Sequence, residues 1–194
     1  MKKSIVTFFV LVVTLVSFAQ NDTEHLTFKG VPIDGTLSEY VKKMKSAGFE
    51  YLEGGIDYAV LQGDFAGFKD CNVLIYTLDA INVVSKICVL FPECNVWSSL
   101  EQNYNLLKSM LSQKYGVPTE VVEQFQNSPV PKTNNDKLFE LYMDRCTWYT
   151  LYETPKGDIK LSLQKGDYGK YFVSLMYYDK INTDAVRSSA IDDL

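Results

Sequence analysis

The sequence is poor in histidine and in the glycine-rich motifs that bind phosphate. Its 194 residues include one histidine, His25, and its four cysteines contain no C-x-x-C pair. A serine or cysteine nucleophile normally needs a histidine base, and structural zinc sites need closely spaced cysteine and histidine ligands. No P-loop, dinucleotide-binding or calcium-loop motif occurs either. We therefore expect no metal, no cofactor and no histidine-dependent catalysis.

Positive charge is also scarce. The chain carries 19 lysine and arginine residues against 24 aspartate and glutamate residues, a formal net charge of -5 at pH 7. An acidic chain without a basic cluster repels the phosphates of nucleic acid and of anionic lipid. We expect neither of these as a partner.

The one long apolar run lies at the amino terminus. Two lysines precede a run from Ile5 to Phe18, and the small residues Ser17 and Ala19 have the spacing that a signal peptidase reads. This run of about 14 residues is shorter than the roughly 20 residues of a membrane-spanning helix. We predict a signal peptide over residues 1–19, cleaved near Ala19. The mature chain is then periplasmic or secreted, with no membrane span.

An exported protein can keep disulfides. If the hairpin between "CNVLIYTL" and "INVVSKICVLF" has a two-residue turn, Leu78 faces Ile81 and Cys71 faces Cys88. This register predicts a disulfide between Cys71 and Cys88. Buried free thiols are the alternative, because a turn that is one residue longer breaks the alignment.

Two helices are predicted from their caps and apolar stripes. Thr36 and Glu39 form an S/T-x-x-E capping box before the first helix, and Ser98 and Glu101 repeat the pattern before the second. A glycine closes each helix. Apolar residues at helical spacing define the two buried faces: Leu37, Tyr40, Val41 and Met44 in the first helix, and Trp97, Leu100, Tyr104, Leu107 and Leu111 in the second.

Strand-like segments follow each helix. Three follow the first, from "YAVLQGDFAGF" to "NVVSKICVLF", and four follow the second, from "TEVVEQF" to "KYFVSLMYYD". We predict a single α+β domain over residues 20–194, with an antiparallel sheet of about seven strands and two main helices packed on one face. Residues 30–92 and 96–180 are candidate helix-plus-sheet repeats. In the first hairpin, the helices are expected to meet Leu74, Tyr76, Ile87 and Val89.

Aromatic residues are frequent in the last strands, and a sheet face lined with them suits binding. Tyrosine is also an ordinary strand residue, so a purely structural role is the alternative. The expected function is non-enzymatic binding of a protein or a cell-envelope component through this aromatic face. The candidate binding residues are Trp148, Tyr149, Tyr152, Tyr171 and Tyr178.

Two further functions stay open. A small carboxylate-dependent hydrolase acting on envelope or dietary glycans would use a pair of acids such as Asp158 and Asp167. A structural module without a ligand would need no site at all.

Four segments carry a family resemblance: "FKGVPIDGTLSEYVKKMKSAGF", "LQGDFAGFKDCNVLI", "LEQNYNLLKSMLSQKYGVP" and "YYDKINTDAVRSSAIDDL". With them, the chain resembles a family of uncharacterised exported proteins from Bacteroidetes. The resemblance implies an exported α+β domain and no known activity, so no site residues follow from it. In element order the chain is also similar to the β-lactamase-inhibitor-protein-like architecture, in which helix-plus-sheet units offer a sheet face to a partner.

Overall fold

The computed structural model describes the backbone of residues 24–78, 82–126 and 129–192. The predicted signal peptide and its cleavage site lie outside these ranges. Within them, no helix combines the length and the apolar character needed to cross a membrane.

In the described residues, the fold is an eight-stranded antiparallel sheet with four α-helices and a separate small hairpin. The predicted α+β class is confirmed, and β3 is the strand that the sequence analysis lacked. The hairpin consists of β1 (Thr27–Phe28) and β2 (Val31–Pro32). The helices are α1 (Leu37–Ser46), α2 (Trp97–Tyr115), α3 (Asn134–Tyr142) and α4 (Lys180–Asp192). The sheet strands are β3 (Glu50–Gly54), β4 (Tyr58–Phe65), β5 (Phe68–Leu78), β6 (Val83–Leu90), β7 (Glu120–Phe125), β8 (Cys146–Thr154), β9 (Gly157–Lys165) and β10 (Tyr171–Asp179).

Each half of the sheet is a four-stranded meander preceded by a helix. The spatial order is β3-β4-β5-β6-β10-β9-β8-β7, so the last strands of the two halves pair antiparallel at the centre. In each half, the strands therefore follow one another in chain order from the edge of the sheet to its centre. Two half-repeats over residues 30–92 and 96–180 would have this order, and their common origin stays a prediction.

The first helix begins at its predicted cap. Thr36 Oγ1 accepts a hydrogen bond from the Glu39 backbone N–H at 3.4 Å, and Glu39 Oε2 accepts one from the Thr36 N–H at 3.2 Å. These bonds occupy the N–H groups that would otherwise hold an anion. Tyr40 and Met44 of the predicted stripe are fully buried.

The second helix has the predicted stripe without the predicted cap. All five residues from Trp97 to Leu111 in the stripe are buried. The helix begins at Trp97 with Val96 as its N-cap residue, and within the described chain no side chain bonds to this end. Ser98 therefore lies inside the first turn, and the predicted Ser98–Glu101 capping box was wrong.

A third helix, α3, lies between β7 and β8, where the sequence predicted only strand-like segments. Helix α3 is capped by Thr133, whose Oγ1 accepts from the Asp136 N–H at 3.1 Å. In turn, the Thr133 N–H donates a hydrogen bond to Asp136 Oδ2 at 3.4 Å. This capping box has aspartate where glutamate or glutamine is usual, so the S/T-x-x-E/Q pattern does not predict it.

The β5–β6 hairpin has a different register from the predicted one. Leu78 pairs with Val83, so residues 79–82 connect the strands. One extra residue, Ser85, lies between successive pairs, because Tyr76 pairs with Lys86 and Thr77 with Val84. Such a bulge interrupts the alternation of side chains between the two faces.

As a result, the predicted inward set was wrong for β5. Val73 and Ile75 are fully buried, whereas Leu74 and Tyr76 are partly exposed on the opposite face. The prediction was correct for Ile87 and Val89, which lie beyond the bulge and pair with Ile75 and Val73.

The same register separates the two cysteines that were expected to pair. Cys88 pairs with Leu74, and Cys71 pairs with Gly63 of β4. Cys71 therefore shares the face of Val73, while Cys88 lies on the other face. Both thiols are free, so the predicted Cys71–Cys88 disulfide was wrong.

Helices α1, α2 and α3 pack on one face of the sheet. On α2, the Tyr104 hydroxyl lies 2.5 Å from Thr150 Oγ1, and the backbone oxygen of Lys108 accepts a hydrogen bond from the Tyr152 hydroxyl at 3.0 Å. On the α1 side, the ring of Phe49 covers Gly63. The core lies between these helices and the sheet.

A buried polar cluster joins the N-terminal hairpin to the start of α4. Asp179 is fully buried, and its carboxylate accepts from the backbone N–H of Leu26 at 2.8 Å and of Asn182 at 3.0 Å. The Asn182 side chain donates to the backbone oxygens of Ile33 at 3.2 Å and Val84 at 3.0 Å. Three segments distant in sequence, the N-terminal hairpin, β6 and the β10–α4 junction, therefore meet at one end of the sheet.

Candidate functional site

The candidate functional site is the sheet face opposite α1, α2 and α3, which we call the open face. Helix α4 contacts β5, β6, β9 and β10 and borders this face at Tyr178. Its large side chains are partly exposed, whereas their neighbours along each strand are buried against the helices. The residues concerned are Val60, Leu74, Tyr76, Leu90, Leu151, Phe172, Met176 and Tyr178.

One row of the open face contains three tyrosines. In the cross-strand register, Tyr58 pairs with Tyr76, Tyr76 with Lys86, and Lys86 with Tyr178. Lys86 Nζ lies 4.1 Å from the centroid of the Tyr76 ring, which is a cation–π contact. Asp158 extends the row beyond Tyr178.

The adjacent row is apolar. Val60 pairs with Leu74, Leu74 with Cys88, and Cys88 with Met176. The Tyr178 hydroxyl donates to the sulfur of Met176 at 2.8 Å, which links the two rows. With strands roughly 4.8 Å apart, four strands give a row about 14 Å wide.

The centre of the open face is made of small side chains. The hydroxyls of Ser162 and Ser174 are hydrogen bonded at 2.9 Å, and both residues are buried although no helix of the α1–α3 layer covers them. Cys88 is buried in the same way. Phe172 and Met176, which flank Ser174 on β10, are larger and partly exposed.

The Cys88 thiol and the hydroxyls of Tyr76 and Tyr178 on the open face are neutral at pH 7. Burial raises the pKa of the Cys88 thiol to about 11. Burial also raises the pKa of Tyr76 and of Tyr178. The positive charge is on Lys86 and on Lys160, whose Nζ lies 4.5 Å from the centroid of the Tyr149 ring.

The structure places only two of the five predicted aromatic residues on this face. Tyr149 and Tyr178 are there, and the Glu120 carboxylate raises the pKa of the Tyr149 hydroxyl. Trp148, Tyr152 and Tyr171 point towards the helices.

The three inward residues have structural contacts. Trp148 packs edge-on against Trp97, with ring centroids 5.2 Å apart. Tyr152 is 1% exposed and bonds to α2 through its hydroxyl, and Tyr171 is buried. Adjacent positions on β8 and β10 both carry large side chains, so sequence alternation did not distinguish the two faces.

The acid pair that the hydrolase hypothesis named is not brought together. Asp158 is at the start of β9 and Asp167 follows its end, which separates them by roughly 30 Å along the strand. Asp158 instead pairs with Glu153 of β8 and lines a shallow pocket with Tyr178 and Asp184. Among the described residues, no cluster of three or more His, Cys, Asp or Glu is placed to bind a metal.

No protein-family model, curated protein or solved structure matches this chain. The side chains of the open face are therefore the basis for the functional proposal.

Proposed function

We propose that this protein is a non-enzymatic binding domain, exported after cleavage near Ala19, that contacts a protein or a cell-envelope component through its open face. The observation that carries the proposal is the pair of partly exposed rows, one of tyrosines and one of aliphatic and sulfur-bearing side chains. These rows lie next to each other on the face opposite α1, α2 and α3.

The composition of the open face matches that of interfaces. Tyrosine and methionine are enriched at the centres of protein interfaces, and charged groups are depleted there. The only cation between Tyr76 and Tyr178 is Lys86, which lies over the Tyr76 ring. The Tyr76 ring thus partly compensates the positive charge of Lys86 in the unbound protein.

Several side chains of the open face are already held in place in the unbound protein. Tyr178 is tied to Met176 by a hydrogen bond, and Lys160 stacks on Tyr149. Because side chains that are already held lose little entropy on binding, such contacts favour affinity.

Within this proposal, a protein partner fits better than a glycan. A sugar needs hydrogen-bonding groups for its hydroxyls, and Val60 and Leu74 offer none from their side chains. An apolar protein surface can cover these aliphatic groups and bury them.

Quantitative co-precipitation from envelope extract tests the proposal. Tyr76→Ala and Tyr178→Ala should each recover the wild-type partners at least tenfold less efficiently. Tyr142→Ala is the matched control, because Tyr142 is 48% exposed but lies on α3, on the other side of the sheet.

If all three variants recover the same partners as the wild type, the open face is not the binding surface. If the wild-type chain recovers nothing above empty resin, a structural role without a ligand is favoured instead. Thermal unfolding of each variant checks that the fold is retained.

A further inference from the structure

A second surface lies at the edge of the sheet, between α1 and the β3–β4 hairpin. A groove of about 520 Å³ runs along this side of α1, within the size range of ligand sites. Its apolar lining comes from Leu37 and Val41 of α1 and from Tyr51 and Ile56 of the hairpin.

The described residues that line the groove carry positive charge, whereas the chain as a whole is acidic, and Glu50 and Glu53 of β3 are outside this lining. The protein has a formal net charge of -5, yet none of the described residues that line this groove is acidic and two are lysines, Lys42 and Lys45. Residues three apart on a helix lie on the same side of it, so both ammonium groups can reach one ligand.

These two lysines are available for a ligand. In the described part of the chain, neither has a carboxylate within ion-pair distance. Several other lysines each have an acidic partner: Lys69, Lys108, Lys156, Lys165 and Lys170.

The other wall of the groove is an edge strand. β3 is the last strand on this side of the sheet, and all five of its residues are exposed. The backbone groups of an edge strand that do not bond to its neighbour are free to pair with another chain. Beyond β3, the apolar side chain of Ile56 is 95% exposed.

We propose that this groove binds an extended, acidic segment of a partner protein, which adds to the edge of β3. Backbone hydrogen bonds to β3 would hold the segment, apolar side chains would cover Tyr51 and Ile56, and its carboxylates would pair with Lys42 and Lys45. The groove follows α1 from Thr36 to Lys45, about 14 Å, which accommodates about four extended residues.

This site is separate from the centre of the open face. Tyr58 borders both surfaces, whereas Tyr178 belongs to the open face and lies four strands away from β3. Variants at Lys42 and Lys45 therefore test the groove, and a variant at Tyr178 tests the open face.

A displayed library of random eight-residue peptides is the probe. After selection on the wild-type protein, the enriched peptides should carry two or more acidic residues among apolar ones. Synthetic versions should bind at least tenfold more weakly to the Lys42→Glu/Lys45→Glu double variant, measured by fluorescence anisotropy.

Three controls make the result specific. Lys43→Glu introduces the same change on α1 outside the groove lining and should leave the Kd within twofold of wild type, as should Tyr178→Ala. Two further peptides are N-methylated at alternate backbone nitrogens, one at the odd-numbered and the other at the even-numbered positions. One of the two should lose at least tenfold in affinity, since pairing with β3 needs those N–H groups.

Other outcomes overturn the proposal. They are an absence of enriched acidic peptides, equal loss of binding in Lys43→Glu and in the double variant, and binding that N-methylation leaves unchanged. Concentration-dependent dimerisation that Lys42→Glu/Lys45→Glu abolishes would assign the groove to a second copy of this chain instead.

Discussion

His25 Nδ1 lies 3.0 Å from Asp179 Oδ2, although the two residues are 154 positions apart. The Asp179 side chain is completely buried, and that of His25 is 22% exposed. The carboxylate thus contacts the imidazole and two backbone N–H groups at the junction of the N-terminal hairpin and α4. This contact makes His25 a structural residue.

Replacing Asp179 with alanine should therefore destabilise the fold strongly. We expect a loss of about 3 kcal/mol in the free energy of unfolding, because two buried N–H groups and the imidazole lose their acceptor. Denaturant titration measures this loss. Asp184→Ala, at an exposed position of α4, should change the value by less than about 0.5 kcal/mol. Similar losses in both variants would contradict the assigned role of Asp179.

Two tyrosine-to-phenylalanine substitutions should have opposite effects. The buried hydroxyl of Tyr40 has no hydrogen-bond partner among the described residues, so Tyr40→Phe should stabilise the protein by about 1 kcal/mol. The Tyr104 hydroxyl is bonded to buried Thr150, so Tyr104→Phe should cost about 1 to 2 kcal/mol. Chemical denaturation of the two variants side by side gives the signs, and a loss in Tyr40→Phe would show that its hydroxyl is satisfied.

The β8–β9 turn depends on Gly157. Its φ is +145°, and a Cβ there would overlap the carbonyl oxygen of Tyr178 on the neighbouring strand. Gly157→Ala should therefore lower stability by about 3 kcal/mol, through strain and displacement of β10. Gly169→Ala is the matched control: its φ is +71° but a Cβ would meet nothing within 4 Å, so only about 1 kcal/mol is expected. Thermal unfolding that ranks the two variants equally would exclude the steric explanation.

Stability should decrease at alkaline pH because of Cys88. Burial raises its pKa from 9.0 to about 11, so the folded state holds a proton that the unfolded state releases. The contribution is complete below pH 9 and is lost as pH rises towards 11, by about 2 to 3 kcal/mol. Unfolding free energies measured from pH 8 to 11 should fall less steeply in Cys88→Ala. Ser174→Ala, at a buried position without a titratable group, should keep the wild-type slope.

Local signals in the sequence were sufficient for the parts of the fold that depend on neighbours along the chain. The Thr36–Glu39 box predicts the start of α1, and the stripe from Trp97 to Leu111 predicts the buried side of α2. Both depend on bonds or spacings within a few residues, which the sequence states directly.

Features that depend on other strands were not predictable in the same way. The single extra residue Ser85 exchanges the faces of β5 relative to β6, and alternation alone does not reveal it. The aromatic site was misassigned for the same reason, since Trp148 and Tyr149 are adjacent and only the position of α2 decides which of them is covered. Tyr76 and Met176 were not among the predicted binding residues. The sheet register places them on the same face, and the sequence does not state that register.

The central pairing of β6 with β10 has a consequence for biosynthesis. Strands β3 to β6 can assemble as soon as residue 90 is available, but β10 is made about 80 residues later. At a synthesis rate of roughly 5–20 residues per second, β6 remains an unpaired edge strand for several seconds, with Ile87, Cys88 and Val89 at that edge. In a chain made without residues 1–19, slower translation of residues 91–170 should therefore reduce the yield of native protein through aggregation, while molecules that do reach the native state keep their normal resistance to denaturant.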